Sequence, residues 1–314
     1  MVARGAVHDP IPARDVLLGG AVPARRLLPN KARRMVGAWC FADHYGPDDV
    51  RRTGGLRLLP HPYAGLQAVT WLFEGHLLHA DSLGNEQLLR PGQLNLLTAG
   101  TGVCRAELTP DGAPRTLHGV QLWAALPAVA RATVEPALTH VAEPPTYAER
   151  GATLRVLVGT LAGESSPAPT HSPLVAAEID LEPGATATLP LEPGFEHAVL
   201  VVRGTTLVAG ETVGRDEMVY LGGEREGLDL SAPDDGRGAT VLLLGGEPFA
   251  EESVLWWNFL GGDHEEVVGH REEWNGDGES WVSPRFGQVR GFGGRRMLAP
   301  PMPPVRLRPR SPDG

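Results

Sequence analysis

Two short pairs of side chains carry the chemistry most legible in this 314-residue sequence. His61 and Tyr63 stand one residue apart, and so do Arg105 and Glu107. On a β-strand, residues i and i+2 face the same way, so each pair can point together into a barrel interior. An imidazole, a phenol, a guanidinium and a carboxylate converging there would form a small polar pocket. In it Glu107 or His61 is the candidate general base, and Arg105 could hold an anionic substrate. His76 lies on the strand that follows the run His61–Gly75 and could reach the pocket mouth, although isolated histidines are more often ordinary surface or core residues. Spacing by itself describes two solvated strand faces equally well, the commoner setting for such polar pairs.

The elements that would position these residues are short strands. Leu66–Phe73 is apolar and partly β-branched, and Glu74-Gly75 breaks it. His76–Ala80 ends in the turn-rich run Asp81-Ser82-Leu83-Gly84-Asn85, and Arg90-Pro91-Gly92 and Ala99-Gly100-Thr101-Gly102 make further corners before Val103–Leu108. The second half repeats this grammar. Glu182-Pro183-Gly184 and Glu192-Pro193-Gly194 are turns, and Ala198–Val202 ends at Arg203-Gly204 as the earlier strand ended at Glu74-Gly75. Two copies of one barrel follow from that repetition. Trp256–Trp274 has mixed helical spacing and is the best helix candidate. The reading is therefore all-β, mainly antiparallel, with a short C-terminal helix. An N-terminal barrel spans residues 1–130, a linker 131–172 and a second barrel with its closing helix 173–275. Residues 276–314, rich in Gly, Pro and Arg, read as a disordered tail.

Composition supports this organisation. Gly (40) and Pro (29) are too frequent for a helical bundle, while 42 % hydrophobic residues suffice for a core. The net charge of −10 argues against a broad nucleic-acid footprint. It is unevenly spread: from Arg285 onward seven arginines meet one acid, Asp313, and residues 1–284 carry −16. The arginines read as a solvated face rather than a nucleic-acid contact, so direct nucleic-acid binding is not expected. Cys40 and Cys104 make no disulfide framework, no signal-peptide pattern opens the chain and no apolar run is of membrane-spanning length, so a cytoplasmic location without membrane contact is expected. Phosphate loops, a nucleophile elbow and Cys-x-x-Cys pairs are absent from the sequence.

Longer runs are more specific. His61–Gly75, His79–Asn85, Arg90-Pro91-Gly92-Gln93, Ala99–Val103 and His118–Trp123 occur in an order that resembles the pirin family, a branch of the bicupins. Val36–Pro47 is similar to that family's opening segment. Thr170-His171-Ser172-Pro173, Gly245–Phe249 and Trp256–Phe259 resemble its second half. The resemblance covers roughly residues 15–275. It implies two stacked cupin-type β-barrels and one iron-like metal in the N-terminal barrel, held by a His-x-His pair and a later His-x-Glu pair. It also implies either quercetin dioxygenase activity or a redox-sensing, transcription-linked role.

Carried over residue by residue, the metal positions become His61, Tyr63, Arg105 and Glu107, of which His61 and Glu107 match. Arg105 has no lone pair to give a metal and would place a permanent positive charge where the cation belongs. It would instead pair with Glu107. Tyr63 could ligate as a phenolate, but only at a cost set by its reference pKa near 10. No cofactor is therefore expected, and the chain reads as a bicupin with a degenerate metal pocket that binds a small aromatic or anionic molecule or a protein partner. The alternatives are a metal-dependent quercetin 2,3-dioxygenase-like oxidoreductase holding iron or another divalent metal, and a metal-free enzyme using the same pocket. His79, His118 and His171 are expected to be structural, Cys104 to pack on the opposite strand face, and Glu196-His197 not to form a second metal site.

Overall fold

A computed structural model describes residues 9–276 and 282–311. Each half of the chain builds the same pair of sheets, one of seven strands and one of four. In the N-terminal half, Leu66–Glu74 and Thr116–Ala125 lie at the middle of the seven-stranded sheet. Arg57–Tyr63, Val103–Leu108, Leu77–Asp81 and Glu86–Leu89 make the four-stranded one. In the C-terminal half, Glu196–Arg203 and Ala239–Gly246 hold the central places, and Thr186–Pro190, Gly227–Ser231, Thr205–Val208 and Glu211–Gly214 form the smaller sheet. The pairings within these four sheets are antiparallel among the described residues, and one isolated bridge, Ala64 to Phe259, is parallel. The two barrels expected from the repeated turn grammar are present.

The matching corners have a shared cause. Gly75 and Gly204 end equivalent strands with φ of +91° and +76°. A Cβ would stand 2.5 Å from the Thr116 carbonyl oxygen at the first, and 2.4 Å from that of Gly238 at the second. Only glycine tolerates both the left-handed backbone and that closeness.

Strand alternation sorts the cores. Val69, Trp71 and Leu122 of the first barrel cluster with Ala198, Leu200 and Leu242 of the second, so the largest core lies at the seam. Trp39 donates across it to the carbonyls of Val175 (3.2 Å) and Gly245 (3.1 Å), and Trp71 donates to Glu178 at 2.6 Å. The intervening residues Val199 and Val201 face a separate apolar interior in the second barrel.

Three features depart from the sequence reading. Residues 131–172 are woven into both barrels: Ala137–Val141 pairs with Leu94–Thr98, and Ala152–Val158 pairs with Leu174–Leu181. The expected helix over Trp256–Trp274 is shorter. Val254–Trp256 and Phe259–Gly261 form a hairpin turned by Trp257 at φ +52°. Among the described residues the helices are α1 (Val50–Thr53), α2 (Ala128–Thr133) and α3 (His264–Asn275), and α3 begins where the Asp263 carboxylate accepts from the Glu266 amide.

The third departure concerns the expected disordered tail. Residues 282–311 pack against the outer face of the small N-terminal sheet, while 277–281 and 312–314 lie outside the described residues. Phe286, Val289 and Ala299 cluster with Ala64, Cys104 and Ala106. Trp274 donates to the Met297 carbonyl at 2.8 Å, and the Met297 amide donates to that of Pro60 at 2.8 Å. A few separated apolar side chains suffice because the strands beneath offer a ready apolar face. Among the described residues, no helix is long and apolar enough to cross a membrane.

Candidate functional site

The inward face of the four-stranded sheet collects the residues singled out by spacing. Arg105 is paired in register with His61 on one side and Asp81 on the other, and Glu107 is paired with His79. Directly paired residues share a face, so His61, Arg105, Glu107, His79 and Asp81 all point into the barrel. A register shift between Arg105 and Glu107, on the side of Arg57–Tyr63, places a bulge at the site itself.

Four side chains form a continuous buried chain. Glu107 is 3.2 Å from the Arg105 guanidinium, which donates to the Tyr63 hydroxyl at 3.0 Å and lies over the Tyr63 ring at 4.5 Å. The hydroxyl is in turn 3.3 Å from His61 Nε2, and His61 Nδ1 is 2.7 Å from the Leu59 carbonyl oxygen. His61, Tyr63, Arg105 and Glu107 are 3 %, 2 %, 1 % and 1 % exposed, which closes them to bulk water in this conformation.

The protons in this chain are assigned from its partners. A carbonyl oxygen only accepts, so Nδ1 of a neutral His61 carries the hydrogen and Nε2 keeps the lone pair. Burial first, and then the charge of Arg105, push the imidazole down to about 4, which keeps it neutral near pH 7. Burial likewise holds the Tyr63 phenol up at about 12, so its hydroxyl is protonated and donates to that lone pair.

Electrostatic balance is local. Burial, the largest single influence, would raise the Glu107 carboxyl, but Arg105 together with His79, the Thr70 hydrogen bond and His61 holds Glu107 below the ordinary carboxylate range. Burial works against the Arg105 charge too, and Glu107 and then Tyr63 more than restore it. Thr70 donates to one Glu107 oxygen at 2.7 Å and Gln121 to the other. Spacing arguments at Arg105 and Glu107 missed these two residues. The signal for them was a lone polar residue facing inward in each of two apolar strands, Val-Thr-Trp and Val-Gln-Leu.

The other residues singled out in the sequence lie outside this chain of four side chains. His76 is half-buried in the connection between Glu74 and Leu77 and takes no part in this network among the described residues. His79 is 3.0 Å from Asp81, whose carboxylate also binds the Leu83 and Asn85 amides and so shapes the following turn. His118 meets His44 with 2.8 Å between their Nε2 atoms, and the His171 amide donates to Gln67. Cys104 packs on the outer face beside Phe286. Glu196 accepts from the Gly37 amide and from Tyr220, both at 2.7 Å. Among the described residues, no three His, Cys, Asp or Glu side chains are grouped so as to hold a metal ion.

Set beside known proteins, this twinned architecture matches the pirin family over residues 21–124, and residues 176–278 match the pirin C-terminal cupin domain. The chain belongs to the pirin family. A relative in Pseudomonas aeruginosa with a provisional quercetin 2,3-dioxygenase name is 42 % identical to this pirin over 93 % of its chain and 90 % of the relative. A pirin-like protein of Caulobacter vibrioides is 34 % identical over 79 % of the chain and 86 % of its own. The crystal structure of a quercetin 2,3-dioxygenase from Acinetobacter baumannii superposes with a TM-score of 0.87 at 36 % identity, covering 95 % of this chain and 97 % of that one.

Proposed function

We propose that this pirin acts by binding a small molecule or a protein partner, and that its N-terminal barrel is held by an ion pair instead of a catalytic metal. The observation that carries this reading is the closed chain from Glu107 through Arg105 and Tyr63 to His61. A non-heme iron site needs several neutral imidazoles and a carboxylate with open positions. Here one imidazole remains at the family positions, and its lone pair is taken by the Tyr63 hydroxyl. The carboxylate is taken by a guanidinium that cannot be deprotonated. These side chains as arranged do not fit a divalent cation, and no chemical step is derived through one. The same saturation argues against metal-free acid–base catalysis: Glu107 accepts from Thr70, Gln121 and Arg105, and His61 Nε2 accepts from the Tyr63 hydroxyl, so both candidate bases are already engaged.

The second reading is a quercetin 2,3-dioxygenase-like oxidoreductase, favoured by the names of the relatives at 36–42 % identity. One experiment separates the two. Protein purified from iron-supplemented cells is analysed for metals, and oxygen uptake is followed with quercetin and added iron or nickel. Our reading expects metal far below stoichiometric and no metal-dependent uptake, with quercetin at most stabilising the fold as a ligand. Near-stoichiometric iron that is lost in His61→Ala, or a robust metal-dependent rate, would establish the oxidoreductase instead.

A further inference from the structure

A second polar site lies outside the barrel interior, and its chemistry does not depend on whether that interior holds a metal. A cleft of about 210 Å³ opens where α2, α3 and the segment at Arg285 meet the turns at Ala64-Gly65 and Gly100-Thr101. Arg131, from the last turn of α2, lines it with a side chain only 9 % exposed. A guanidinium has five N–H donors in a planar fork. Arg131 uses one of its nitrogens: the NH1 group donates to the Leu126 carbonyl at 3.3 Å and lies 3.5 Å from Glu251, both long contacts. Among the described residues Nε is buried without any partner and the hydrogen bonds of this guanidinium use NH1. The Nε–NH2 edge, which presents two parallel N–H groups, is unengaged among them.

No side chain of Gly262 covers that edge: a Cβ there would stand 3.3 Å from the Arg131 NH2 nitrogen and 3.5 Å from Glu266 Oε2. At Gly65 a Cβ would stand 2.8 Å from Arg131 Cδ. Arg285 brings a second guanidinium to the cleft, and Nδ1 of His270, a residue 8 % exposed, is buried without a partner.

The carboxylates nearby already have donors, Glu251 and Glu273 partly from Arg131 and Arg285 themselves. Glu251 accepts from the Ala128 amide at the start of α2, at 3.1 and 2.8 Å. Glu273 accepts from Ser283 and from the amide and Nε of Arg285. Glu266, which also lines the cleft, accepts from the Gly262 amide at 2.6 Å. What is in surplus is donors, and a buried unsatisfied charged donor is costly.

We propose that this cleft binds a small carboxylate, seated bidentate on the Nε–NH2 edge of Arg131, with Arg285, itself paired with Glu273, also lining the cleft. The planar fork matches two carboxylate oxygens. Apolar cavities of about 150 Å³ accept a single benzene ring, so the volume suits a one-ring or smaller acid.

Benzoate and acetate are the probes, with benzamide as a neutral isostere, and inorganic phosphate and chloride as other anions. Binding is followed by isothermal titration at pH 7 and constant ionic strength. Benzoate should bind and benzamide should not, and Arg131→Gln should weaken benzoate about 10- to 100-fold, the range for one charge-assisted bidentate contact. Gly262→Ala keeps every charge, and Gly262 has no left-handed backbone to strain; its added methyl should cover the edge and weaken binding as much. That variant decides the matter if Arg131→Gln fails to fold. Equal binding of benzamide, unchanged affinity in Gly262→Ala, or tighter binding of phosphate or chloride than benzoate would overturn the assignment.

Discussion

Arg105→Leu is the most informative perturbation of the barrel interior. It removes the counter-charge of Glu107 but leaves the carboxylate buried with Thr70 and Gln121. At 3.2 Å, two unit charges attract by about 5 kcal/mol at an effective dielectric constant of about 20. Breaking such buried pairs by truncating one partner costs about 3–5 kcal/mol. The variant should therefore lose about 3–5 kcal/mol against urea at pH 7. Its pH dependence has a definite sign. In the native protein Glu107 titrates below its ordinary range, so its contribution is complete above that range and is lost as pH falls through its folded value. Without Arg105, burial dominates and raises the carboxyl, so the variant gains stability relative to the native protein on acidification. The gap between the two should narrow from pH 7 to pH 5. Arg105→Leu combined with Glu107→Gln removes the stranded charge and should recover most of the loss at pH 7. Urea midpoints by far-UV circular dichroism, taken for both single variants and the pair, measure the coupling. A loss under about 1 kcal/mol in Arg105→Leu, or a double variant weaker than either single one, would refute a buried, mutually dependent ion pair.

Three further outcomes follow from the same geometry. The His61 imidazole, pushed down to about 4, stays neutral in the fold while an unfolded histidine protonates near 6.5, so its contribution to stability is complete above that value and falls by about 3 kcal/mol between pH 6.5 and 4; His61→Phe should flatten that part of the stability profile, and an imidazole signal titrating near 6.5 by NMR would contradict it. Joint replacement Tyr63→His and Arg105→His removes the guanidinium and supplies two imidazoles, so it should create tight nickel binding by isothermal titration where the parent should show none at the barrel interior. Phe286→Ala should cost about 3–5 kcal/mol in urea unfolding, because a fully buried ring between α3 and the outer sheet face leaves a cavity; a change below 1 kcal/mol would mean that this segment contributes nothing to the fold.

Local chemistry in the sequence reached the architecture and half of the site. Gly and Pro at regular intervals limit strands to a few residues, and strand alternation then decides which side chains face inward, so the two barrels and the shared face of His61, Tyr63, Arg105 and Glu107 were legible. The same alternation held the clue to Thr70 and Gln121, but choosing their partner required the register between strands far apart in sequence. The C-terminal segment was misjudged because Phe286, Val289 and Ala299 look too sparse to form a core by themselves, and the apolar face they cover belongs to Ala64, Cys104 and Ala106.

The sequence by itself therefore determined that the protein is a pair of β-barrels and that a tyrosine and an arginine stand in strands beside His61 and Glu107, because turn residues and period-2 patterning act over a few bonds. Only the tertiary structure decided that Leu59 fixes the His61 proton and Tyr63 takes its lone pair, and that Arg131, His270 and Arg285 meet at one cleft. Hydrogen-bond direction and charge pairing depend on distances through space, and those are set by packing across the whole chain.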